Sequence, residues 1–531
     1  MRLWRVPPKS RDVEFSYYNA AVDLIERNLT PERSGRIAII DESGSHTYAE
    51  LAERVNRCAN ALRDLGLQPE QRVLLCLYDS IDFPACFLGA IKAGIVPVPI
   101  NTMWSAADYA YILSDSRARA TVVSEARLPV MLEAAQISGW AGQVVVAGNS
   151  SGTYPELFNL MEAASSNCEA HPTRPDEACF WLYSSGSTGR PKGAVHVQTS
   201  LVKTAELYGQ GVLGIDANDV IYSAAKLFFA YGLGNALTFP IATGATAILF
   251  AGRPKPPEVN RILRDQRPTV FFGVPTLFSS LLASPDLPRR GEHALRLCGS
   301  AGEALPEPVG KAWTEHTGVE IIDGIGSTEM LHCFVSTRPG AVRYGTSGIP
   351  VPGYRARIVD DDGIDVPQGG IGELQVAGPT TAACYWNNRE KTRATFVGEW
   401  MRTGDKYRQD VDGFLIYCGR SDDMLKVGGI WVSPMEVESA LLAHDAVLEA
   451  AVIAATDESG LVKPKAFIVL KDGFQSGDDM RQALQDFVKG ILAPYKYPRY
   501  IEFMTELPKT ATGKLQRYLL VRRESERKAG T

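Results

Sequence analysis

Short, nearly unbroken apolar runs recur along the first three hundred residues, at 72–78, 121–124, 178–184, 220–224, 246–250, 269–273 and 295–298. A strand that is apolar at consecutive positions buries both faces, and such strands alternating with helices belong to parallel sheets covered on each side. The helical partner is clearest between Thr47 and Gly66, two residues suited to helix caps. There Leu51, Val55, Cys58, Ala59, Leu62 and Leu65 repeat at the spacing of one helix face. Residues 83–93 resume a helical pattern, and the VPVPI that follows reads as a proline-rich turn. With no repeat of fixed period, the pattern predicts an α/β fold whose large N-terminal domain has parallel-rich sheets flanked by helices.

At 531 residues the chain exceeds one ordinary core, so a second, smaller domain is expected. The texture changes near residue 420, where GRSDDMLKVGGIWVSP combines charges with two adjacent glycines ahead of a new helix at 434–443. That stretch reads as a hinge. Strands near 450–454 and 465–470 and a helix near 479–492 then build a small mobile α+β C-terminal domain.

Composition removes several functions. Hydrophobic residues at 45% and charged residues at 22% are ordinary globular values. A formal net charge of -6 with no long Lys/Arg block gives no footprint for nucleic acid, and the mixed-sign run 522–528 reads as a solvated tail. The most apolar stretch, 87–100, is broken by Lys92, Pro97 and Pro99 and is too short for a membrane span. The opening MRLWRVPPKSRDVEF has no apolar core of a secretory signal. Nine scattered cysteines, with no C-x-x-C pair, fit a reducing cytoplasm.

The segment richest in chemistry is YSSGSTGRPKG at 183–193. Ser184, Ser185, Gly186, Ser187, Thr188 and Gly189 let amides and hydroxyls approach phosphate oxygens, while Arg190 and Lys192 add positive charge. Glycine follows Lys192 where a P-loop carries Ser or Thr, which disfavours a Walker-type phosphoryl transferase. Alone, such a stretch is more often only a turn. It has company in DGIGSTE at 323–329, WMRTGD at 400–405, GRSDD at 419–423 and PKTATGK at 508–514. Together, and in this order, these segments resemble the acyl-adenylate-forming enzymes: acyl-CoA synthetases, luciferases and peptide-synthetase adenylation domains. The resemblance covers essentially the whole chain.

That resemblance implies an acid, ATP and coenzyme A as substrates and Mg2+ as the metal. A carboxylate is a poor electrophile, so it first displaces pyrophosphate to form acyl-AMP; CoA thiolate then expels AMP. By resemblance Lys514 binds the carboxylate and the α-phosphate together, neutralising charge that builds in the first step. Thr328 and Glu329 offer hard oxygens suited to magnesium, with Glu329 and Thr188 as the implied metal residues. Asp405 and Arg420 are the implied ribose contacts. Ser300, Ala301, Gly302 and Glu303, with Asp323, Gly324 and Ile325, are implied to lie against the adenine and line the acyl pocket. The resemblance divides the chain at 1–421 and 422–531, with Asp422 as the hinge about which Lys514 is exchanged for the segment around Gly429. Gly428 and Gly429 would let the pantetheine arm pass close to the backbone. Singly, Glu329 is a solvated loop carboxylate, Asp405 and Arg420 are surface charges, and Lys514 is a surface lysine.

Local marks narrow the acid. TAELYGQGVLGI at 204–215, AKLFFAYGLGNALTFP at 225–240, DGIGSTEMLH at 323–332, RYGTSGIPVPGY at 343–354 and CGRSDDMLKVGGIWVSP at 418–434 resemble the benzoate-CoA ligase branch. The 4-hydroxybenzoate and 2-aminobenzoate ligases stand beside it. By this resemblance Tyr208, Phe229, Ala230, Ile325, Gly326, His332 and Gly348 surround an aryl ring, which a flat pocket of aromatic and small residues suits. Phe228, Phe229 and Tyr231 read equally as core packing. His332 borders the ring or is a satisfied histidine behind the wall. Cys333, Val335 and Gly428 depart from the branch pattern and bear on which ring substituents are tolerated. The alternatives are a 4-hydroxybenzoate- or 2-aminobenzoate-CoA ligase, an adenylating enzyme that passes its acyl group elsewhere, and a catalytically inactive aryl-acid binding protein. The expected partners are a small aryl carboxylic acid, ATP and CoA, with neither nucleic acid nor membrane; a homodimer is left open.

Overall fold

The computed structural model describes residues 16–184, 190–420, 424–427, 430–457, 461–493, 495–509 and 515–529. Four parallel strands form one sheet in the order Val96–Pro99, Arg72–Cys76, Ala120–Ser124, Gln143–Ala147. A nine-stranded sheet runs Ile349–Pro350, Cys333–Ser336, Ile321–Gly326, Leu297–Ala301, Val270–Gly273, Val220–Ser223, Thr246–Ile248, Ile37–Asp41, Gly44–Thr47. Its strands from Ile321–Gly326 through Ile37–Asp41 are mutually parallel, and antiparallel strands extend both ends. Val270–Gly273 and Leu297–Ala301 are buried at every position, which is why their sequences do not alternate.

Helix Tyr48–Asp64 begins where the pattern places it: Thr47 accepts from the Glu50 amide and Glu50 accepts from the Thr47 amide, a closed capping box. Its apolar face packs on helix Asp82–Lys92, whose Gly89 stands so near Cys58 that an added Cβ would lie 2.9 Å from the Cys58 Cβ.

Two expectations are corrected. VPVPI is not a turn, because Val96–Pro99 is the edge strand of the four-stranded sheet. The amides of Val96 and Ile100 donate to the carbonyls of Gln71 and Leu75 at 2.9 and 3.0 Å. Pro97 and Pro99 alternate with these positions, so their missing N–H groups fall where the edge needs no donor. The run 178–184 belongs to no parallel sheet either. Ala178–Ser184 pairs antiparallel with Lys192–Val197, which pairs with Cys384–Tyr385, and Ser184 stands opposite Lys192. The glycine- and serine-rich segment therefore joins the two strands of a hairpin.

A five-stranded antiparallel sheet follows, built from Arg355–Val359, Gly372–Ala377, Phe396–Val397, Trp400–Gln409 and Leu415–Arg420. The C-terminal domain pairs Val447–Thr456 antiparallel with Val462–Leu470, and Tyr500–Phe503 runs parallel to the latter. Helices Pro434–Leu442 and Asp478–Ile491 stand where the sequence places them. This domain has its own core, including Val437, Leu441, Val452, Ile468, Leu484 and Val488. Among the described residues, no helix is long and apolar enough to cross a membrane.

Gly348 has φ +91°, and an added Cβ would lie 2.1 Å from the Ser336 carbonyl carbon. Gly348→Ala is expected to cost about 3 kcal/mol through backbone strain and overpacking, lowering the thermal midpoint by several degrees. A wild-type midpoint in a melting experiment would contradict this packing.

Candidate active site

Strand Ile321–Gly326 ends in a single tight turn, Thr328–Met330, closed by the Ser327 hydroxyl accepting from the Met330 amide at 3.3 Å. The turn presents Glu329. Tyr385 Oη donates to Glu329 Oε1 at 2.7 Å, and Ser184 Oγ donates to the same oxygen at 3.2 Å. Lys192, opposite Ser184 across the hairpin, sets its Nζ 4.7 Å from the centre of the Tyr385 ring. Partial burial pulls the Lys192 ammonium below its ordinary value, and the Glu329 charge pulls it back up. Tyr385 thus touches both signs of charge, one through its hydroxyl and one through its ring.

The turn is also held from beneath. His196 Nε2 lies 2.8 Å from the Thr328 carbonyl oxygen, so that nitrogen carries the proton. Burial holds the His196 imidazole near 4, which keeps it neutral.

Ser300 stands opposite Asp323, and Ala301 opposite Gly324, on adjacent parallel strands. Gly302 takes φ +94° at the end of its strand, and Glu303 Oε1 accepts from the Leu515 amide at 2.9 Å. The residue after Lys514 therefore docks beside the end of the central strands. Burial pushes the Asp323 carboxyl up to about 8, with the Ser300 hydroxyl and the amides of Leu305 and Gly324 pulling it down. An added Cβ at Gly324 would lie 2.8 Å from the Val335 oxygen, and one at Gly326 would lie 2.6 Å from the His332 oxygen. Only glycine permits that approach. On the five-stranded sheet Asp405 and Arg420 are cross-strand partners, with Arg420 Nη1 3.3 Å from Asp405 Oδ1.

The proposed ring-binding residues divide into two groups. Tyr208 and His332 are buried, their rings 5.2 Å apart, and His332 also meets Tyr231 at 5.3 Å and Phe239 at 4.7 Å. His332 Nε2 lies 3.1 Å from Asn235 Oδ1, and burial holds the ring near 3, so it is neutral. Tyr208 Oη lies 3.3 Å from Ser336 Oγ, on the residue that Gly348 packs against. Phe229, Ala230 and Ile325 are only half-buried, while Phe228 is buried and its ring lies 4.5 Å from that of Phe229. Ser185, Gly186, Ser187, Thr188, Gly189, Asp422, Gly428, Gly429 and Lys514 lie outside the described residues.

Sequence reasoning missed Tyr385, His196 and Asn235. Nothing in the sequence around Tyr385 marks it, since its role comes from strand pairing. Asn235 carried a signal, because an amide inside the apolar run 232–241 must find a partner once buried.

Residues 26–386 match the AMP-binding enzyme family, and residues 436–514 match the AMP-binding enzyme C-terminal domain. The chain is 59% identical over 505 residues to the benzoate–CoA ligase of Thauera aromatica, covering 95% of each chain. It is 50% identical over 509 residues to the 4-hydroxybenzoate–CoA/benzoate–CoA ligase of Rhodopseudomonas palustris, covering 95% of this chain and 94% of that one. Among solved structures, the benzoate CoA ligase of Burkholderia xenovorans LB400 matches with TM-score 0.89 and 52% identity, covering 95% of this chain and 99% of that one. The anthranilate CoA ligase AuaEII, in complex with anthranoyl-AMP, matches with TM-score 0.93 and 43% identity, covering 97% and 98%. The chain belongs to the AMP-binding enzyme family.

Tyr385→Phe removes only the hydroxyl that donates to Glu329. A hydrogen bond to a charged group is worth about 1.5–3 kcal/mol, so ATP affinity is expected to fall about tenfold or more. Calorimetric titration with ATP checks this, and unchanged affinity would remove Tyr385 from the site.

Proposed function

We propose that this chain is an AMP-forming benzoate–CoA ligase, converting benzoate, ATP and CoA to benzoyl-CoA, AMP and diphosphate through benzoyl-AMP. The observation that carries this reading is the 59% identity to the Thauera aromatica benzoate–CoA ligase across 95% of both chains. 4-Hydroxybenzoate is the second acid, because the Rhodopseudomonas palustris relative is named for both.

In the first step a benzoate oxygen attacks the α-phosphorus of ATP, and the bond to the pyrophosphate oxygen breaks. Ser184 to Gly189 and Lys192 hold the phosphates, and Lys514 bridges the carboxylate and the α-phosphate. The docking of Leu515 on Glu303 supports this placement of Lys514. Asp405 and Arg420 take the ribose, and the stretch from Ser300 to Glu303, with Asp323, Gly324 and Ile325, takes the adenine. Magnesium bound with ATP neutralises phosphate charge. The hard oxygens of Glu329, Thr328 and Ser184 fit it, and Thr188 is a further donor.

The ring is taken by Tyr208, Phe229, Ala230, Ile325, Gly326, His332 and Gly348. Neutral His332 and its aromatic neighbours favour an uncharged ring and leave the carboxylate to the end where Lys514 acts. In the second step the C-terminal domain, residues 422–531, turns about Asp422 and brings Gly429 to the site. CoA thiolate then attacks the acyl carbon and expels AMP. Nine free cysteines, seven of them buried, support a reducing, cytoplasmic setting.

AMP and aryl-CoA are to be measured from benzoate, 4-hydroxybenzoate, 2-aminobenzoate and a short aliphatic acid, each with ATP and magnesium, with and without CoA. Benzoate is expected to lead, with turnover that requires CoA; a lead by the aliphatic acid would overturn the pocket reading. Lys514→Ala is expected to lower benzoate-dependent pyrophosphate release by about a hundredfold or more. Thioester formation from supplied benzoyl-AMP is expected to survive, and equal loss of both would remove Lys514 from its role.

A further inference from the structure

Helix Ala106–Ser116 belongs to the four-stranded sheet unit, yet it touches both stems of the segment read here as the phosphate-binding loop. The helix opens on a Ser105–Asp108 capping box and closes on Arg117 at φ +52°, so both ends are fixed. Tyr111 and Asp115, four residues apart, share one face. Tyr111 Oη donates to the Pro191 carbonyl oxygen at 3.1 Å, and its ring centre lies 5.1 Å from the Arg190 guanidinium carbon. Asp115 Oδ2 accepts from Tyr183 Oη at 2.6 Å, and the Asp115 carbonyl oxygen accepts from Trp386 Nε1 at 2.9 Å.

These contacts lead to Glu329. Tyr183 precedes Ser184, and Trp386 follows Tyr385; Ser184 and Tyr385 are the two hydroxyl donors to the Glu329 carboxylate. Each donor is therefore one residue from a side chain fastened to Asp115. A carboxylate in the last turn of a helix opposes the helix dipole, so Asp115 stands where helix stability alone would not put it. The short bond from Tyr183 compensates. Burial and the adjoining Asp115 carboxylate keep the Tyr183 hydroxyl protonated and able to donate. The Tyr183 ring in turn covers Gly193, where an added Cβ would lie 3.3 Å from the ring carbon bearing the hydroxyl.

We propose that Tyr111 and Asp115 are positioning residues for ATP: one helix fixes both stems of the phosphate-binding loop and the strand that carries Tyr385. This rests on the reading of residues 184–189 and 192 as the site of the ATP phosphates. Each acts through Pro191, Tyr183 or Trp386. The brace matters for the step that holds the β- and γ-phosphates, and benzoyl-AMP has neither.

The test uses the full chain with Tyr111→Phe, Tyr183→Phe, the double variant and Asp115→Leu. The double variant is expected to weaken ATP binding, and to raise KM for ATP, by about tenfold. Thioester formation from supplied benzoyl-AMP and CoA is expected to stay within about twofold of wild type. ATP affinity within about twofold of wild type would overturn the proposal, and so would an equal fall in both half-reactions, since that marks general support of the fold. If Asp115→Leu fails to fold, the two Tyr→Phe changes, which remove only hydroxyls, carry the test. A wild-type chain that binds ATP but does not adenylate benzoate would sink the substrate reading and still allow the ATP-affinity comparison to decide this one.

Discussion

The Glu329 carboxylate accepts hydrogen bonds from hydroxyls on two different strands, Tyr385 and Ser184, while the Lys192 ammonium rests on the Tyr385 ring. A half-buried carboxylate is favoured by hydrogen-bond donors and a positive charge nearby, and this arrangement supplies both. It also ties together parts of the chain that are remote in sequence. Glu329 follows the central strand Ile321–Gly326, Ser184 and Lys192 are the stems of the hairpin, and Tyr385 lies on the third strand of that small sheet. The site forms beyond the carboxyl ends of Leu297–Ala301 and Ile321–Gly326, where an open α/β sheet leaves room for a ligand.

The cluster at Glu329 and the cluster at His332 differ in charge. Around Glu329 the Tyr385 and Ser184 hydroxyls converge, with the Lys192 ammonium on the Tyr385 ring, whereas around His332 burial leaves a neutral imidazole among Tyr208, Tyr231 and Phe239. A substrate with an uncharged ring and a carboxylate matches that division. At Gly324, Gly326 and Gly348 the backbone approaches residues 332–337 so closely that an added side chain would clash with their main chain.

Much of this was legible in the residues. Apolar runs gave the buried strands, since a strand covered on both faces cannot alternate, and Thr47 with Glu50 gave the start of a helix. The runs record burial, however, and not the partner, so 178–184 reads as a strand of a parallel sheet when it forms one side of a hairpin. Pro97 and Pro99 suggested a turn because a proline's missing donor is harmless only at an edge, and edges are not visible in a sequence. The motifs marked Glu329, Asp405 and Arg420, but the register that sets Asp405 opposite Arg420 and the bond from Tyr385 to Glu329 arise only when distant strands pair. The sequence around His332 admits two readings. Its burial and its bond to Asn235 put it inside an aromatic layer.

The central claim is that a benzoate oxygen attacks the α-phosphorus of ATP at this site. The measurement that tests it most directly is the fate of oxygen-18 from carboxyl-labelled benzoate after complete turnover with ATP and CoA, read by mass spectrometry of the products. The account predicts one labelled oxygen in AMP and none in diphosphate. Label in diphosphate or inorganic phosphate, or unlabelled AMP beside fully formed thioester, would contradict it.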